Sequence, residues 1–195
     1  MIQQVSGRTL IAAGSAILGG ILSGAYQHIR DYFERPQLKI DYEGTEGNKV
    51  VSKYKMGDTE IEEIFVRAKI ANKGRRIAKN CKVYVNSIKE IVNTKEQNTL
   101  FLDARQLSWP RNDYTARDIP RGITCCVDIV GIRKDISEWR FKINNNLYAS
   151  EEPMKSFRGT YRFELIATAE NAKPFPHKID VTYDGDWHQL RAASV

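Results

Sequence analysis

The sequence predicts an antiparallel β-sandwich that follows a single N-terminal transmembrane helix. Residues 9–29 carry no formal charge when His28 is neutral, and no later segment resembles this run. After Pro36 apolar residues alternate with polar ones, which is the period of a half-buried strand. Turn signals separate eight or nine such segments. The predicted parts are an N-terminal tail (1–8), a transmembrane and juxtamembrane helix (9–35), the sandwich (36–185) and a C-terminal tail (186–195).

The apolar run has the length of a membrane span. Its 21 residues would make a helix of about 31 Å, close to the hydrocarbon thickness of a bilayer. A signal peptide cleaved after Ala25 is the alternative, because the residues just before that point are small. The run is long for a signal peptide and continues unbroken to Ile29, so we favour an uncleaved anchor.

Small residues collect on one half of this helix. Ala12, Ala16, Gly20 and Gly24 form a ridge at i+4 spacing, and Gly19 lies in the ridge beside it. Leucine and isoleucine fill most of the other half. Because lipid gives little hydrophobic drive between helices, a face of small residues favours close packing against a partner helix. We therefore expect a homo-oligomer formed through this face, with simple exposure to lipid as the alternative.

Charge and cysteine content indicate where the domain resides. The 195 residues include 30 Lys and Arg and 24 Asp and Glu, a formal net charge of +6, which favours anionic partners. Arg30, Arg35 and Lys39 follow the span. Arg8 precedes it, so the positive-inside rule favours a cytoplasmic domain, with an extracytoplasmic one as the alternative. Three cysteines do not make a disulfide framework, which favours a reducing compartment.

Alternation places the strands of the domain in order. Leu38, Ile40 and Tyr42 alternate with charged residues, and the turn signal of 72–74 ends the strongest strand of the chain. The predicted strands are 38–42, 49–54, 60–72, 81–85, 100–107, 123–129, 161–167 and 179–183. Residues 135–147 are predicted as a short helix followed by a strand, and 171–176 as the connection between the last two strands.

The best-patterned region also carries a family resemblance. An alternating strand reaches Asn-x-Gly at Asn72 and Gly74, and an alternating partner strand follows at 78–85. This pattern resembles that of the bacterial and archaeal Ig-like domains called CARDB, and the turn 119–122 is similar to the Pro-Gly turn of that family, with Arg121 inserted. The resemblance covers residues 60–131. It implies an Ig-like sandwich that serves as an adhesion or interaction module, mostly outside the cell.

One segment of the domain is strongly basic. No acidic residue occurs between Glu63 and Glu90, where the candidate contact residues are Arg67, Lys69, Lys73, Arg75, Arg76, Lys79 and Lys82. We expect them on a hairpin that lies against anionic headgroups, each close basic residue contributing about 1 kcal/mol, or that binds a protein partner. A solvated face that protects a strand edge is the alternative. Nucleic acid is not favoured, because Tyr84 is the one outward aromatic residue available for stacking.

The sequence shows no constellation that favours catalysis. The histidines are not paired with a nucleophile, the cysteines lie in no reactive context, and no metal-ligand spacing or phosphate-binding glycine loop occurs. We expect no catalytic, cofactor or metal residues. Asp180, Asp184 and Asp186 are expected to form a solvated turn. Trp109 lies beside an Arg-rich loop, where it either contacts a partner or fills an open end of the sandwich.

These features predict a single-pass, membrane-anchored and non-catalytic binding or scaffolding module with an unidentified protein partner. A membrane effector is the first alternative, in which the helix self-associates to perturb the bilayer and the sandwich acts as a sensor or assembly domain. The second alternative is a secreted Ig-like binding domain released by signal-peptide cleavage.

Overall fold

The computed structural model describes residues 25–27, 29–30, 33–42, 48–101, 104–111, 113–134, 139–140 and 158–195. The chain divides between Arg35 and Pro36 into two units. In the first unit, residues 25–27, 29–30 and 33–34 are helical. Most of the predicted span, together with all five predicted helix-packing residues, lies outside the described residues. Of the helices within the described residues, none has the length and hydropathy needed to cross a membrane.

The described part of the second unit, Pro36–Val195, contains twelve strands and one 3-10 turn. They are β1 (Leu38–Asp41), β2 (Lys49–Met56), β3 (Thr59–Asn72), β4 (Ala78–Val92), β5 (Lys95–Phe101), β6 (Arg105–Gln106), β7 (Arg117–Ile119), β8 (Thr124–Arg133), β9 (Trp139–Arg140), β10 (Gly159–Ala169), β11 (Ala172–Tyr183), the 3-10 turn (Trp187–Gln189) and β12 (Arg191–Ser194). The ladders between them are antiparallel.

Two sheets contain these strands. In the first sheet, β3 pairs with β8 on one edge and with both β1 and β2 on the other. The other edge of β8 pairs with β9. The second sheet has the order β12-β11-β10-β4-β5, and β6 and β7 also pair with β4. The long strands β3 and β4 therefore form the centres of different sheets. At 14 residues, β3 extends over about 46 Å.

The inner faces of the two sheets share one hydrophobic core. Ile64, Val66, Ala68 and Ile70 of β3 project inward at alternate positions, as the sequence pattern predicts, and each is at most 3% exposed. The same cluster contains inward residues of β4, β8, β10 and β11. Because side chains of an extended strand alternate between faces, the residues between these positions face outward, and on β3 they include the buried Glu63 and Phe65 as well as Arg67 and Lys69. The predicted all-β antiparallel architecture is confirmed.

Two segments near the C-terminus differ from the prediction. β11 begins at Ala172, so the predicted connection 171–176 is mostly strand. Its prolines are tolerated because β12 pairs only with residues 179–182, which leaves this part of β11 at an edge. Residues 186–195 contain the 3-10 turn and β12, and Leu190 is buried in the core. The short alternation of these last residues was too weak a signal to predict a strand.

Candidate functional site

The basic segment forms a corner between the two sheets, so the predicted hairpin is wrong. β3 lies in the first sheet and β4 in the second, and residues 73–77 cross from one to the other at one end of the sandwich. A tight pairing of the two strands is excluded because each pairs with other strands along both edges. We call residues 73–79 and the neighbouring turn 120–123 the basic corner.

Asn72 holds this corner together from beneath. Its side chain is fully buried and makes four hydrogen bonds to the backbone of three segments. The amide nitrogen donates to the carbonyl oxygens of Arg76 (2.7 Å) and Ile119 (2.9 Å). The amide oxygen accepts from the backbone nitrogens of Gly74 (3.0 Å) and Gln37 (3.2 Å). Because a buried amide costs free energy unless it is satisfied, this arrangement strongly specifies the path of the corner.

Two further turns lie against the corner. The backbone nitrogen of Gly122 donates to the Asn72 carbonyl oxygen at 3.1 Å, and the Ile123 nitrogen donates to the Pro120 carbonyl oxygen at 3.2 Å. Gly122 has φ +74°, a left-handed conformation that favours glycine at this position of a turn. On the other side, the Asn171 side chain accepts from the Lys79 nitrogen and donates to the Ile77 carbonyl oxygen, both at 2.9 Å. The loop is thus held along its whole length.

The charged side chains of the corner are exposed and predominantly positive. Lys73, Arg75, Arg76, Lys79 and Arg121 are all exposed. In the described part of the chain, no carboxylate forms an ion pair with Lys73, Arg75 or Lys79. Two carboxylates lie at the rim, both bonded to Asn80: the Asp118 oxygen accepts from its backbone nitrogen at 2.9 Å, and the Glu170 oxygen accepts from its side chain at 2.6 Å. Asp41 also lies within electrostatic range of Lys73, and its pKa is lowered mainly by its hydrogen bond with Lys39 and in part by Lys73. Five positive charges against these three carboxylates leave the corner basic.

Three of the predicted contact residues lie away from the corner. Arg67 and Lys69 lie on the outer face of the first sheet, and Lys82 lies on the outer face of the second. The Arg67 guanidinium forms an ion pair with the buried Asp128 carboxylate and lies 5.6 Å from the centre of the Phe65 ring. The sequence does not show that β3 and β4 belong to different sheets. The residues predicted to share one surface therefore lie in three places, namely the corner and the outer face of each sheet.

Sequence reasoning missed three residues of the corner. Arg121 and Ile123 come from the turn before β8, and Ile77 lies at the end of the corner loop. Ile77 is 48% exposed and Ile123 is 50% exposed, a high value for isoleucine. Each follows an arginine by one or two positions in a turn. This repeated pattern of arginine followed by isoleucine outside any strand was the available signal.

The outer face of the second sheet carries charges of both signs that neutralise one another. We call Lys89, Glu96, Arg162, Glu164, Lys178 and Asp180 the charge lattice. Arg162 donates two hydrogen bonds to Asp180, at 2.7 and 2.8 Å, and a third to Glu96 at 3.0 Å. Glu164 lies 2.9 Å from the Lys89 nitrogen and 3.0 Å from the Lys178 nitrogen. Three positive and three negative groups leave the charge lattice without net charge.

The charge lattice shifts the ionisation of its members. The Ser87 hydroxyl donates to Glu164 at 2.6 Å, and this bond, with that of Lys89, lowers the pKa of Glu164 to about 2. Hydrogen bonds to Glu164, the main cause, and to Glu96 raise the pKa of Lys89. Ionised groups held in this way stabilise the sheet and offer no unpaired charge to a ligand.

The cysteines show no feature of a reactive thiol. Cys81 is buried in the core, and burial raises its pKa to about 11, so the thiol is protonated at neutral pH. Cys125 and Cys126 are half-buried and are not bonded to each other. Among the described residues, no group of three or more potential ligands is placed to hold a metal ion.

One serine, one histidine and one aspartate meet where β1, β11 and β12 come together. The Nε2 atom of His177 lies 3.2 Å from Ser194 Oγ, and Asp41 lies near enough to influence the pKa of His177, which burial lowers. Ser194 Oγ donates its proton to the Tyr42 carbonyl oxygen at 3.0 Å. His177 must then be the donor to Ser194, which is the reverse of what a general base does. These bonds join the strands and do not activate a nucleophile.

Trp109 fills the interior and does not form a contact surface. It is 1% exposed, and its indole nitrogen donates to the Thr115 carbonyl oxygen at 2.8 Å. The Arg117 guanidinium lies 5.3 Å from the centre of the ring and forms an ion pair with Asp113 at 2.6 Å. Hydrogen bonds from Thr115 and Arg117 lower the pKa of Asp113 to about 2. Of the two predicted roles for this residue, packing is the one observed.

Comparison of the chain with protein-family models, with curated proteins and with solved structures finds no match. The candidate site is therefore identified from its geometry and charge.

Proposed function

We propose that this protein is a single-pass, membrane-anchored and non-catalytic binding or scaffolding module whose Ig-like sandwich is held close to the bilayer. The observation that carries the proposal is the uncharged run of residues 9–29, which ends seven residues before a separate β unit begins at Pro36. A lone apolar run of this length is typical of a spanning helix, because only helices and closed barrels satisfy their backbone groups in lipid.

The strand order supports the Ig-like part of the proposal. In Ig domains, strands A, B and E share one sheet and strands C, F and G share the other. Here β1, β3 and β8 are neighbours in the first sheet, and β4, β10 and β11 are neighbours in the second. The correspondence is one of fold, and such folds serve many functions, so a binding role is proposed from the absence of a catalytic constellation in the sequence.

The length of the connection favours a module close to the membrane. Six residues, 30–35, lie between Ile29 and Pro36, which makes seven Cα–Cα steps. They reach at most about 25 Å when fully extended and about 10 Å as a helix. A connection this short supports the proposal of a module held close to the bilayer.

Membrane fractionation tests the anchor and separates it from the secreted alternative. We expect the epitope-tagged chain to remain in the membrane pellet after alkaline carbonate extraction, because a spanning helix is not released by loss of charge contacts. Intact mass should match the full chain, and protease should reach the domain only from the cytoplasmic side. Release by carbonate would overturn the anchor, and loss of residues 1–25 would establish the secreted alternative.

The small-residue face of the predicted helix is the observation that favours the membrane-effector alternative. This alternative is therefore tested beside the main proposal. The variant Gly20→Ile with Gly24→Ile would block close helix contact, whereas Gly14→Ile places the same bulk on the opposite half of the helix. If expression is toxic and only the double variant relieves it, the protein is an effector. Harmless expression of all three chains, with crosslinked dimers lost only in the double variant, supports an oligomeric scaffold.

A further inference from the structure

We propose that the basic corner is a membrane-docking surface that lies on the anionic headgroups of the bilayer that the N-terminal segment enters. Ile77 and Ile123 then reach into the headgroup layer, and the exposed lysines and arginines around them contact lipid phosphates. The proposal rests on the proposed membrane anchor and adds to it the face of the sandwich that meets the lipid.

The first observation is the combination of exposed apolar and basic side chains at loop tips. In the described part of Pro36–Val195, the large hydrophobic side chains with high exposure are Val51, Ile77, Ile123 and Val195. Two of these four lie in the basic corner, and arginines flank both. Apolar side chains surrounded by lysine and arginine are typical of surfaces that bind the membrane interface, since burial and charge attraction act together.

The second observation is that the corner charges are available to a ligand. Lys73, Arg75 and Lys79 have no ion pair with any described carboxylate, in contrast to the charge lattice. Each basic residue close to an anionic membrane strengthens binding by roughly fivefold. The two rim carboxylates, Asp118 and Glu170, are occupied by hydrogen bonds to Asn80 and only partly offset this charge.

The third observation is that the corner is already ordered. Asn72 and Asn171 hold the loop backbone through hydrogen bonds on both sides. A surface that is rigid before binding loses little conformational entropy when it docks. The isoleucine side chains are therefore presented to the membrane without a folding step.

The fourth observation is where the chain enters the domain. The backbone nitrogen of Lys73 donates to the Gln37 carbonyl oxygen at 2.8 Å, so the first residues of the domain lie beside the corner. The turn between β2 and β3 lies at the opposite end, about 46 Å away along the 14 residues of β3. The end of the domain that carries the corner is therefore the end that the chain connects to the proposed anchor.

Nucleic acid is the competing anionic partner, and the composition of the corner disfavours it. Residues 73–79 and 120–123 contain no aromatic side chain on which bases could stack. An isoleucine side chain at the centre of the surface buries no apolar area against a phosphate backbone, but it does bury apolar area at the acyl boundary of a lipid layer.

The test uses the full chain in lipid nanodiscs made of phosphatidylcholine with or without phosphatidylglycerol. An environment-sensitive fluorescent amino acid replaces Ile123 in one sample and Val51 in another, because Val51 is equally exposed at 50% but lies away from the corner. Quenching by headgroup-labelled lipid is then measured. We expect quenching at position 123 that requires phosphatidylglycerol and falls at high salt, and little quenching at position 51. Equal quenching at both positions would overturn the proposal.

A matched pair of charge reversals tests the role of the corner charges. Arg75→Glu with Lys79→Glu should reduce quenching at position 123 by about tenfold or more, since two attractive contacts become repulsive. Lys55→Glu with Lys95→Glu makes the same change in net charge at the far end of the sandwich and should leave quenching unchanged. An equal loss in both variants would show a general charge effect and overturn the docking surface.

Failure of the anchor and failure of the docking surface give different results. If the chain does not enter the discs, the proposed function fails, and the corner is then tested by adding the chain to preformed vesicles of the same lipids. If the chain enters but position 123 is not quenched, only the docking surface fails. Binding of a single-stranded RNA homopolymer that is lost in the corner variant, without quenching by lipid, would assign the corner to nucleic acid instead.

Discussion

The basic corner and the charge lattice are built from the same kinds of side chain, yet they have opposite electrostatic characters. In the lattice, three positive and three negative groups lie within ion-pair distance on the face of one sheet. In the corner, Lys73, Arg75 and Lys79 extend from a loop and form no ion pair with a described carboxylate. Charges on adjacent strands are brought opposite partners by the register, whereas a loop at a sheet boundary has no facing strand. The difference separates charge that stabilises the fold from charge that is available for binding.

The largest expected effect concerns the neutral residue beneath the corner. Asn72→Ala leaves two carbonyl oxygens and two backbone nitrogens, at buried or partly buried sites, without their side-chain partner, which should destabilise the fold by about 3 kcal/mol. Urea unfolding of the detergent-solubilised chain, followed by circular dichroism, measures this. Asn171→Ala removes two hydrogen bonds to the same corner at an exposed site, where water replaces them, and should cost less than about 1 kcal/mol. Similar losses would mean that burial of Asn72 does not hold the corner.

The second prediction compares an arginine from each region. Arg162→Leu removes three charged hydrogen bonds from a half-buried site and leaves Asp180 without its ion-pair partner, although Glu96 keeps Lys89 and Lys178, so we expect a loss of about 2 kcal/mol. Arg75→Leu in the corner should change the free energy of unfolding by less than about 0.5 kcal/mol, because the side chain is exposed. The same urea experiment measures both. A large loss for Arg75→Leu would show that the corner charges are structural.

The third prediction concerns acid stability. The folded pKa of Glu164 is about 2, below its ordinary value of 4.5, so ionised Glu164 stabilises the fold above about pH 4.5 and this contribution is lost as the pH falls towards 2. As the pH falls over this range, the Glu164→Gln variant should lose about 1 kcal/mol less unfolding free energy than the unmodified chain, a value that allows for solvent screening. Glu62 and Asp113, whose pKa values are also lowered to about 2, retain their own contributions.

Unfolding midpoints measured from pH 6 to pH 2 test this difference. Arg75→Leu serves as the control from the corner and should follow the unmodified chain across the whole range. An unchanged acid profile for Glu164→Gln would contradict the proposed role of the lattice carboxylate.

The smallest effects are expected at one turn from each end of the sandwich. Asn93 and Thr94 join β4 to β5 with φ +51° and +67°, and a β-branched residue is strained in that conformation. Thr94→Gly should raise the free energy of unfolding by about 0.7 kcal/mol. Gly122→Ala in the corner should lower it by a similar amount, since Gly122 has φ +74°, although an added Cβ would meet no atom within 4 Å. Thermal unfolding measures both, and equal signs for the two substitutions would contradict the backbone argument.

The sequence by itself predicted the strands that obey strict alternation. Ile64, Val66, Ala68 and Ile70 face the core because side chains of an extended strand alternate, a property that needs no knowledge of the partner strand. The chain composition also showed the basic segment around Arg75, because a run of charge is local information. The membrane span of residues 9–29 and its small-residue face remain predictions.

Only the tertiary structure decided which charges share a surface. Register placed Asp128 opposite Arg67 and removed that arginine from the candidate site, while Arg121 and Ile123, more than 40 positions from Arg75, joined it. It also assigned β3 and β4 to different sheets and placed an edge strand, β12, within the last ten residues. These outcomes depend on contacts between residues far apart in the chain, and such contacts leave no periodic trace in the sequence around either partner.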